Sequence, residues 1–154
     1  MGFKQKSYPF GLSKRSGDLN KQRDDDYFEE IVDTYTKNLK KMHDSCHSQG
    51  IKFLVIFQPE VGLKSSINSE ERNFISDWSY LFNNYENEFP DLYKLFIERS
   101  KEILAEKRVD FIDINTYPKF RNNGKTLFKD VVHTNKNGNE IIADIINEYL
   151  NKFY

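Results

Sequence analysis

Asp130 and His133 stand three residues apart in the run Phe128–Lys129–Asp130–Val131–Val132–His133–Thr134. On a loop, that spacing lets a carboxylate and an imidazole turn to the same side. The imidazole can take a proton from a hydroxyl and return it to a leaving group, while the carboxylate orients the ring and stabilises its charged form. A plainer reading of the same residues stays open: Asp130 shapes the turn, and His133 is a surface residue beside a helix start.

A second constellation is His43–Asp44–Ser45–Cys46–His47. His43 and His47 have the i, i+4 spacing of helical zinc pairs, Asp44 stands where such enzymes carry Glu, and Cys46 could add a thiolate. No third ligand follows nearby. Histidines in the last turns of a helix also interact favourably with its C-terminal dipole. No metal is therefore expected. Gln58, Glu60, Asp113 and Asn115 close two apolar segments. Each could face a site rim, although strand termination, a solvated loop acid and turn formation account for them as well. Lys37, Lys40 and Lys41 read as the wet face of a helix.

These residues need elements to place them. Residues 1 to about 25 lack periodicity and hold Pro9, Gly11, Gly17 and Asp24–Asp25–Asp26, the pattern of an irregular arm. From Tyr27, the residues Phe28, Ile31, Val32, Tyr35, Leu39, Met42 and Cys46 recur at three- and four-residue steps, one face of an amphipathic helix stopped by Gly50. Ile51–Phe57 is a short apolar run, read as a buried parallel strand ending at Gln58–Pro59. Ser69 is expected as the N-cap of a helix carrying Phe74, Ile75, Trp78, Leu81 and Phe82. Pro90 interrupts the pattern, and a further helix is expected from about Asp91 to Lys107. Val109–Ile114 reads as a second strand. A loop through Pro118 and Asn122–Asn123–Gly124 leads to a closing helix from about Asn135, with Thr134 as N-cap and Ile141, Ile142, Ile145, Ile146, Tyr149, Leu150 and Phe153 in one stripe.

The bulk composition removes several classes. The 154 residues suffice for one domain with a core, and a net charge of −1 gives no basic surplus for nucleic acid. No apolar run approaches the roughly 20 residues that span a bilayer. The single cysteine rules out an internal disulfide framework. No signal peptide is visible at Met1–Lys4, and the compartment stays unassigned. Aromatic residues make up 15%, many at helical spacing, and are read as packing groups.

The closing segment Phe128–Lys129–Asp130–Val131–Val132–His133–Thr134–Asn135–Lys136–Asn137–Gly138–Asn139–Glu140–Ile141–Ile142–Ala143 resembles the final sequence block of SGNH (GDSL-like) serine hydrolases. There an Asp-x-x-His pair precedes the last helix, with Gly and Ala at similar offsets. Val55–Ile56–Phe57–Gln58–Pro59 is similar to the penultimate strand of bacterial members, as is the Ser-Glu-Glu insertion after it. The resemblance covers roughly residues 27 to 154.

It implies a partial three-layer α/β/α, flavodoxin-like domain over 26–154, helix-rich with a short parallel sheet, following the 1–25 arm. It also implies catalytic roles for Asp130 and His133, no metal or organic cofactor, and a small-molecule or glycan O-acyl ester as substrate of the full-length parent. The family's nucleophile lies in a Gly-Asp-Ser motif after the first strand. This sequence has none, since Ser16–Gly17–Asp18 holds those types in another order and follows Lys14–Arg15. The family's oxyanion donors are not recognisable either. The expectation is a chain that starts mid-domain and does not cleave esters alone. The competing expectation is a non-catalytic α/β interaction module, completed by a partner chain or by self-association. An unrelated flavodoxin-like protein is a third reading, without a phosphate-binding glycine loop to support it.

Overall fold

The computed structural model describes residues 18–81 and 85–153, with side chains over 26–79 and 89–153. The element order is α1 (Asp18–Ser48), β1 (Leu54–Phe57), α2 (Ser69–Leu81), α3 (Tyr85–Glu106), β2 (Asp110–Asp113), α4 (Pro118–Arg121) and α5 (Lys136–Phe153), with 3-10 turns at Val61–Leu63 and Ile114–Thr116. β1 and β2 pair in parallel, Leu54 opposite Asp110 and Phe57 opposite Asp113. This is the helix-rich α/β architecture with a short parallel sheet that the sequence leads one to expect.

Alternation along the strands sends side chains to two faces. Val55, Phe57 and Phe111 pack with Ile97 and Leu104 of α3 and with Tyr35 and Leu39 of α1. Leu54 and Ile112 pack with Val61, Ile75 of α2, Phe120 of α4, Leu127, Phe128, Val131 and Ile145 of α5. The sheet is thus sandwiched, and its second face carries the segment containing Asp130 and His133.

Several boundaries move. α1 begins at Asp18, so the part of the expected arm from Asp18 onward is helical, and residues 1–17 lie outside the described residues. Leu19, Lys21, Gln22 and Arg23 are good helix formers, and extending an existing helix costs little without an apolar stripe. Pro90 does not end a helix: it lies inside α3. There it forfeits the bond its N–H would make to Glu86. It also packs on Gly62, where an added Cβ would overlap the Pro90 ring. Phe82 lies outside the described residues. Pro118 opens α4, whose Phe120 is buried, where a loop was expected; proline's fixed φ suits the first helical position. Met42, Leu150 and Phe153, expected on buried stripes, are exposed. They sit beyond the stretches of α1 and α5 that the short sheet can cover.

The helix ends are built from side chains and turns. Gly50 has φ +70, with Gly50 N to His47 O at 3.0 Å and Ile51 N to Cys46 O at 2.9 Å, the Schellman pair of bonds. α2 is capped by Asn68 rather than Ser69. Asn68 Oδ1 accepts from Glu71 N at 3.0 Å and Glu71 Oε2 accepts from Asn68 N at 3.4 Å, a reciprocal capping box. α5 is capped by Asn135 rather than Thr134, with Asn135 Oδ1 accepting from Gly138 N at 3.1 Å.

The strongest polar anchor is internal. Lys64 Nζ meets Glu71 Oε2 at 2.6 Å and Oε1 at 2.7 Å, with side chains only 1% and 0% exposed. Lys64 also donates to Lys125 O at 3.1 Å, and Glu71 Oε1 accepts from Leu127 N at 2.9 Å. Replacing Lys64 by Met would leave a buried carboxylate without its cation. The expected loss is about 3–5 kcal/mol of stability, read as a lower urea midpoint. A midpoint matching the wild type would show that the pair does not anchor the fold.

Candidate functional site

The segment Lys125–Asn135 leaves α4 and returns as a hairpin-like loop. Phe128 and Thr134 form an antiparallel bridge, Asn135 N donates to Leu127 O at 2.8 Å, and Lys129 N donates to His133 O at 2.7 Å. These bonds force a tight reversal through Asp130–Val132. Asp130 closes it with its own side chain: Oδ1 accepts from Val132 N at 2.9 Å and His133 N at 2.8 Å. Such side-chain bonds to nearby backbone are the ordinary turn chemistry of aspartate.

The other carboxylate oxygen is left for the ring. Asp130 Oδ2 lies 2.7 Å from His133 Nδ1. With Nδ1 donating, Nε2 is the unprotonated nitrogen and points away from the carboxylate. The His133 side chain is 71% exposed and the Asp130 side chain 35%. Partial burial alone would raise the Asp130 carboxyl. The bonds from His133 N, Val132 N and the ring, together with the ring's charge, outweigh it and hold the carboxyl below the usual carboxylate range.

The loop sits beyond the carboxyl ends of both strands, where open α/β sheets present their sites. Gln58, directly after β1, donates through Nε2 to Val132 O at 2.7 Å, and Val61 N donates to Val131 O at 3.0 Å. An open cleft of about 570 Å³ runs past the pair, lined by Ile56, Gln58, Pro59, Ile114, Lys129, Asp130, His133, Thr134 and Ile142. Ile56, Pro59 and Ile142 give it an apolar side, and Gln58, Lys129, Thr134 and the Asp130–His133 pair a polar one. The arrangement can accept a proton at Nε2 from a hydroxyl brought to the cleft, and the adjacent carboxylate can stabilise the resulting cation.

The other singled-out residues go elsewhere. Glu60 is neither a rim group nor a solvated acid: it is fully buried. Asp113 is buried, binds Lys101 Nζ at 2.5 Å and accepts from Asn115 N at 3.1 Å. Asn115 bridges the two strand ends, accepting from Glu60 N at 2.9 Å and donating to Gln58 O at 3.2 Å. The sequence reading assigned Asn115 to a turn and missed this bridge. Lys64 and Glu71 were also missed as a pair, although the Asn68–x–x–Glu71 spacing is a capping signal. His43 and His47 stack at 5.8 Å on α1, and His43 Nδ1 lies 3.2 Å from Asp44 Oδ1. Bonds from Lys40 and His43 hold the exposed Asp44 carboxyl below its ordinary range. Among the described residues, no three His, Cys, Asp or Glu side chains gather as metal ligands do, and no helix is long and apolar enough to cross a membrane.

A parallel sheet between helical layers, with an Asp–His loop over the strand ends, is a hydrolase-like α/β arrangement. The family model for GDSL-like Lipase/Acylhydrolase matches residues 8–146. The chain belongs to that family of hydrolases. The match reaches back past Tyr27, into the stretch the sequence resemblance did not cover. No curated protein matches the sequence.

The depressed Asp130 carboxyl makes a pH prediction with a definite sign. A carboxyl whose native value lies below its unfolded value stabilises the fold fully above the unfolded value, about pH 4 for aspartate. That contribution is lost as the pH falls through the lower native value. From about pH 5 downward, the stability gap between wild type and Asp130→Ala should therefore close as the pH falls through the native value of the carboxyl. Denaturant titrations at several pH values in that acid range measure it, and a gap that widens from about pH 5 downward would contradict the assignment.

Proposed function

We propose that this chain carries the acid–base pair of a GDSL-like ester hydrolase or acyl-ester transferase, acting on a small-molecule or glycan O-acyl ester. The observation that carries the reading is the 2.7 Å contact between Asp130 Oδ2 and His133 Nδ1 at the mouth of the cleft beyond the strand ends. His133 Nε2 takes the proton of a serine hydroxyl as its oxygen bonds to the ester carbonyl carbon. The same proton passes to the departing alkoxide as the ester C–O bond breaks. In hydrolysis, a water then repeats the sequence against the acyl-serine; in transfer, an acceptor hydroxyl does so. Asp130 holds the ring in the tautomer that leaves Nε2 free and offsets its positive charge. Ile56 and Ile142 suit an acyl or alkyl group, and no metal or organic cofactor enters the reaction.

The serine is not a recognisable part of this sequence, because no Gly-Asp-Ser block occurs in it. A base without a nucleophile has nothing to activate. The 154-residue chain alone is therefore expected to leave a fluorophosphonate probe unreacted and to hydrolyse p-nitrophenyl acetate no faster than free imidazole. Stoichiometric labelling of one of its serines would overturn that part. In a polypeptide joining the chain to a strand and Gly-Asp-Ser block, esterase activity is expected, and His133→Ala should lower kcat by about 10⁴-fold or more. Activity that survives His133→Ala would refute the acid–base role.

One observation favours a second reading. Among the described residues β1 pairs only with β2, and Ile56, in the middle of β1, is 39% exposed. A free strand edge is a template for another strand. In this reading the fold is a non-catalytic module, completed by a partner chain or a second copy. Size exclusion with light scattering distinguishes the readings: self-completion gives a mass above the 18.3 kDa of one chain. A monomer at all concentrations removes self-association.

A further inference from the structure

We infer that Gln58 is a positioning residue for His133, and that Asn115 sets Gln58 in place. The inference rests on the reading of His133 as the proton carrier, and it concerns what holds that ring over the cleft.

The His133 side chain is mostly exposed, so packing does not fix it. Its place depends on the Asp130 carboxylate and on the peptide that carries it. Asp130 belongs to the same short loop and moves with it, so the loop needs ties to the sheet. Two are present at the end of β1. One is the backbone bond from Val61 N to Val131 O, at 3.0 Å. The other is the side-chain bond from Gln58 Nε2 to Val132 O, at 2.7 Å. Val132 O belongs to the peptide whose nitrogen is His133 N, and that nitrogen donates to Asp130 Oδ1 at 2.8 Å. Gln58 therefore grips one end of the peptide unit whose other end is gripped by Asp130. Rotation of this peptide would carry the ring away from Oδ2, so the two grips oppose the same motion.

Gln58 is in turn held through its own backbone. Its carbonyl accepts from Tyr93 OH at 2.8 Å and from Asn115 Nδ2 at 3.2 Å. Asn115 is buried, and its Oδ1 accepts from Glu60 N at 2.9 Å. One carboxamide thus fixes the chain on both sides of Pro59, and the same Nδ2 also reaches Asp113 Oδ1 at 3.0 Å. Asp113 is anchored to Lys101 of α3 at 2.5 Å. The path from α3 to the imidazole is a continuous series of hydrogen bonds.

The test reads the ring and not the reaction. In the 15N spectrum of the wild-type chain at alkaline pH, where imidazoles are neutral, His133 should show one fixed tautomer. Nδ1 would be protonated and Nε2 bare, because Asp130 accepts from Nδ1. Gln58→Leu and Gln58→Glu both remove the donor to Val132 O, the second with nearly unchanged shape. Each should collapse the two His133 nitrogen signals toward a common averaged position, while far-UV circular dichroism stays as in the wild type. Gln58→Asn and Gln58→His, which keep a donor, should recover part of the separation. Asn115→Asp, which keeps the acceptor for Glu60 N and loses the donor to Gln58 O, should give an intermediate collapse. His43 and His47, remote on α1, serve as internal standards that do not change. If Gln58→Leu fails to fold, Gln58→Glu and Gln58→Asn read the same signals. Wild-type nitrogen signals retained in folded Gln58→Glu would overturn the positioning role. That outcome would leave the acid–base reading of His133 standing, since that reading fails only if activity survives His133→Ala.

Discussion

The buried Lys64–Glu71 pair is the constraint from which the site hangs. Taking two charges out of water costs several kcal/mol each, and only close geometry with further hydrogen bonds offsets it. Here the ammonium contacts both carboxylate oxygens and Lys125 O, while the carboxylate also accepts from Leu127 N. The charges are satisfied only if α2, the turn after β1 and the Lys125–Leu127 segment come together. An apolar pair of equal volume could slide along that contact; this pair cannot, because a displaced segment would leave an ion unsolvated. The same Glu71 closes the cap of α2, so helix start and interior anchor are one residue.

From that anchor, order passes down the chain by short steps. Asn135 donates to Thr126 O at 2.9 Å while capping α5. Gly138 lies against Leu127 O and Thr134, and a Cβ there would collide with the backbone carbonyl. The start of α5 is thereby pressed onto the strand-like segment before the reversal, and Phe128, Val131 and Ile145 complete the core beneath it. The reversal between these fixed ends has little freedom left. Asp130 and His133 occupy it with their backbone held and their side chains at the cleft. A rigid frame under an exposed imidazole would suit the proton carrier we propose, since the ring stays accessible while its direction is limited by one carboxylate.

Periodicity and local chemistry made much of this legible. The stripe from Phe28 to Leu39, the apolar runs before Gln58 and around Ile112, and the Gly50 stop all reflect spacing and dihedral preference, which act within a few residues. The Asp-x-x-His block was readable for the same reason, because three residues is within one turn. Helix boundaries were less so. Pro90 sits inside α3, and its ring packs on Gly62, 28 positions away in sequence, a contact that no local pattern announces. Asn68 and Asn135 displaced Ser69 and Thr134 as caps, since several candidate caps stand in a row and the tertiary partners of each decide among them.

What the sequence by itself determined is the order of the two strands and the long helices, most of their apolar stripes and the carboxylate–imidazole spacing, since each is set by contacts between near neighbours. The tertiary structure alone decided that Glu60 is buried, that Lys64 and Glu71 share the interior, and that Asn115 and Gln58 tie β2 to the His133 loop. Those outcomes depend on which distant segments exclude water from one another. A buried polar group takes whatever partner the packing brings within hydrogen-bond reach, and that partner carries no signature in the residues beside it.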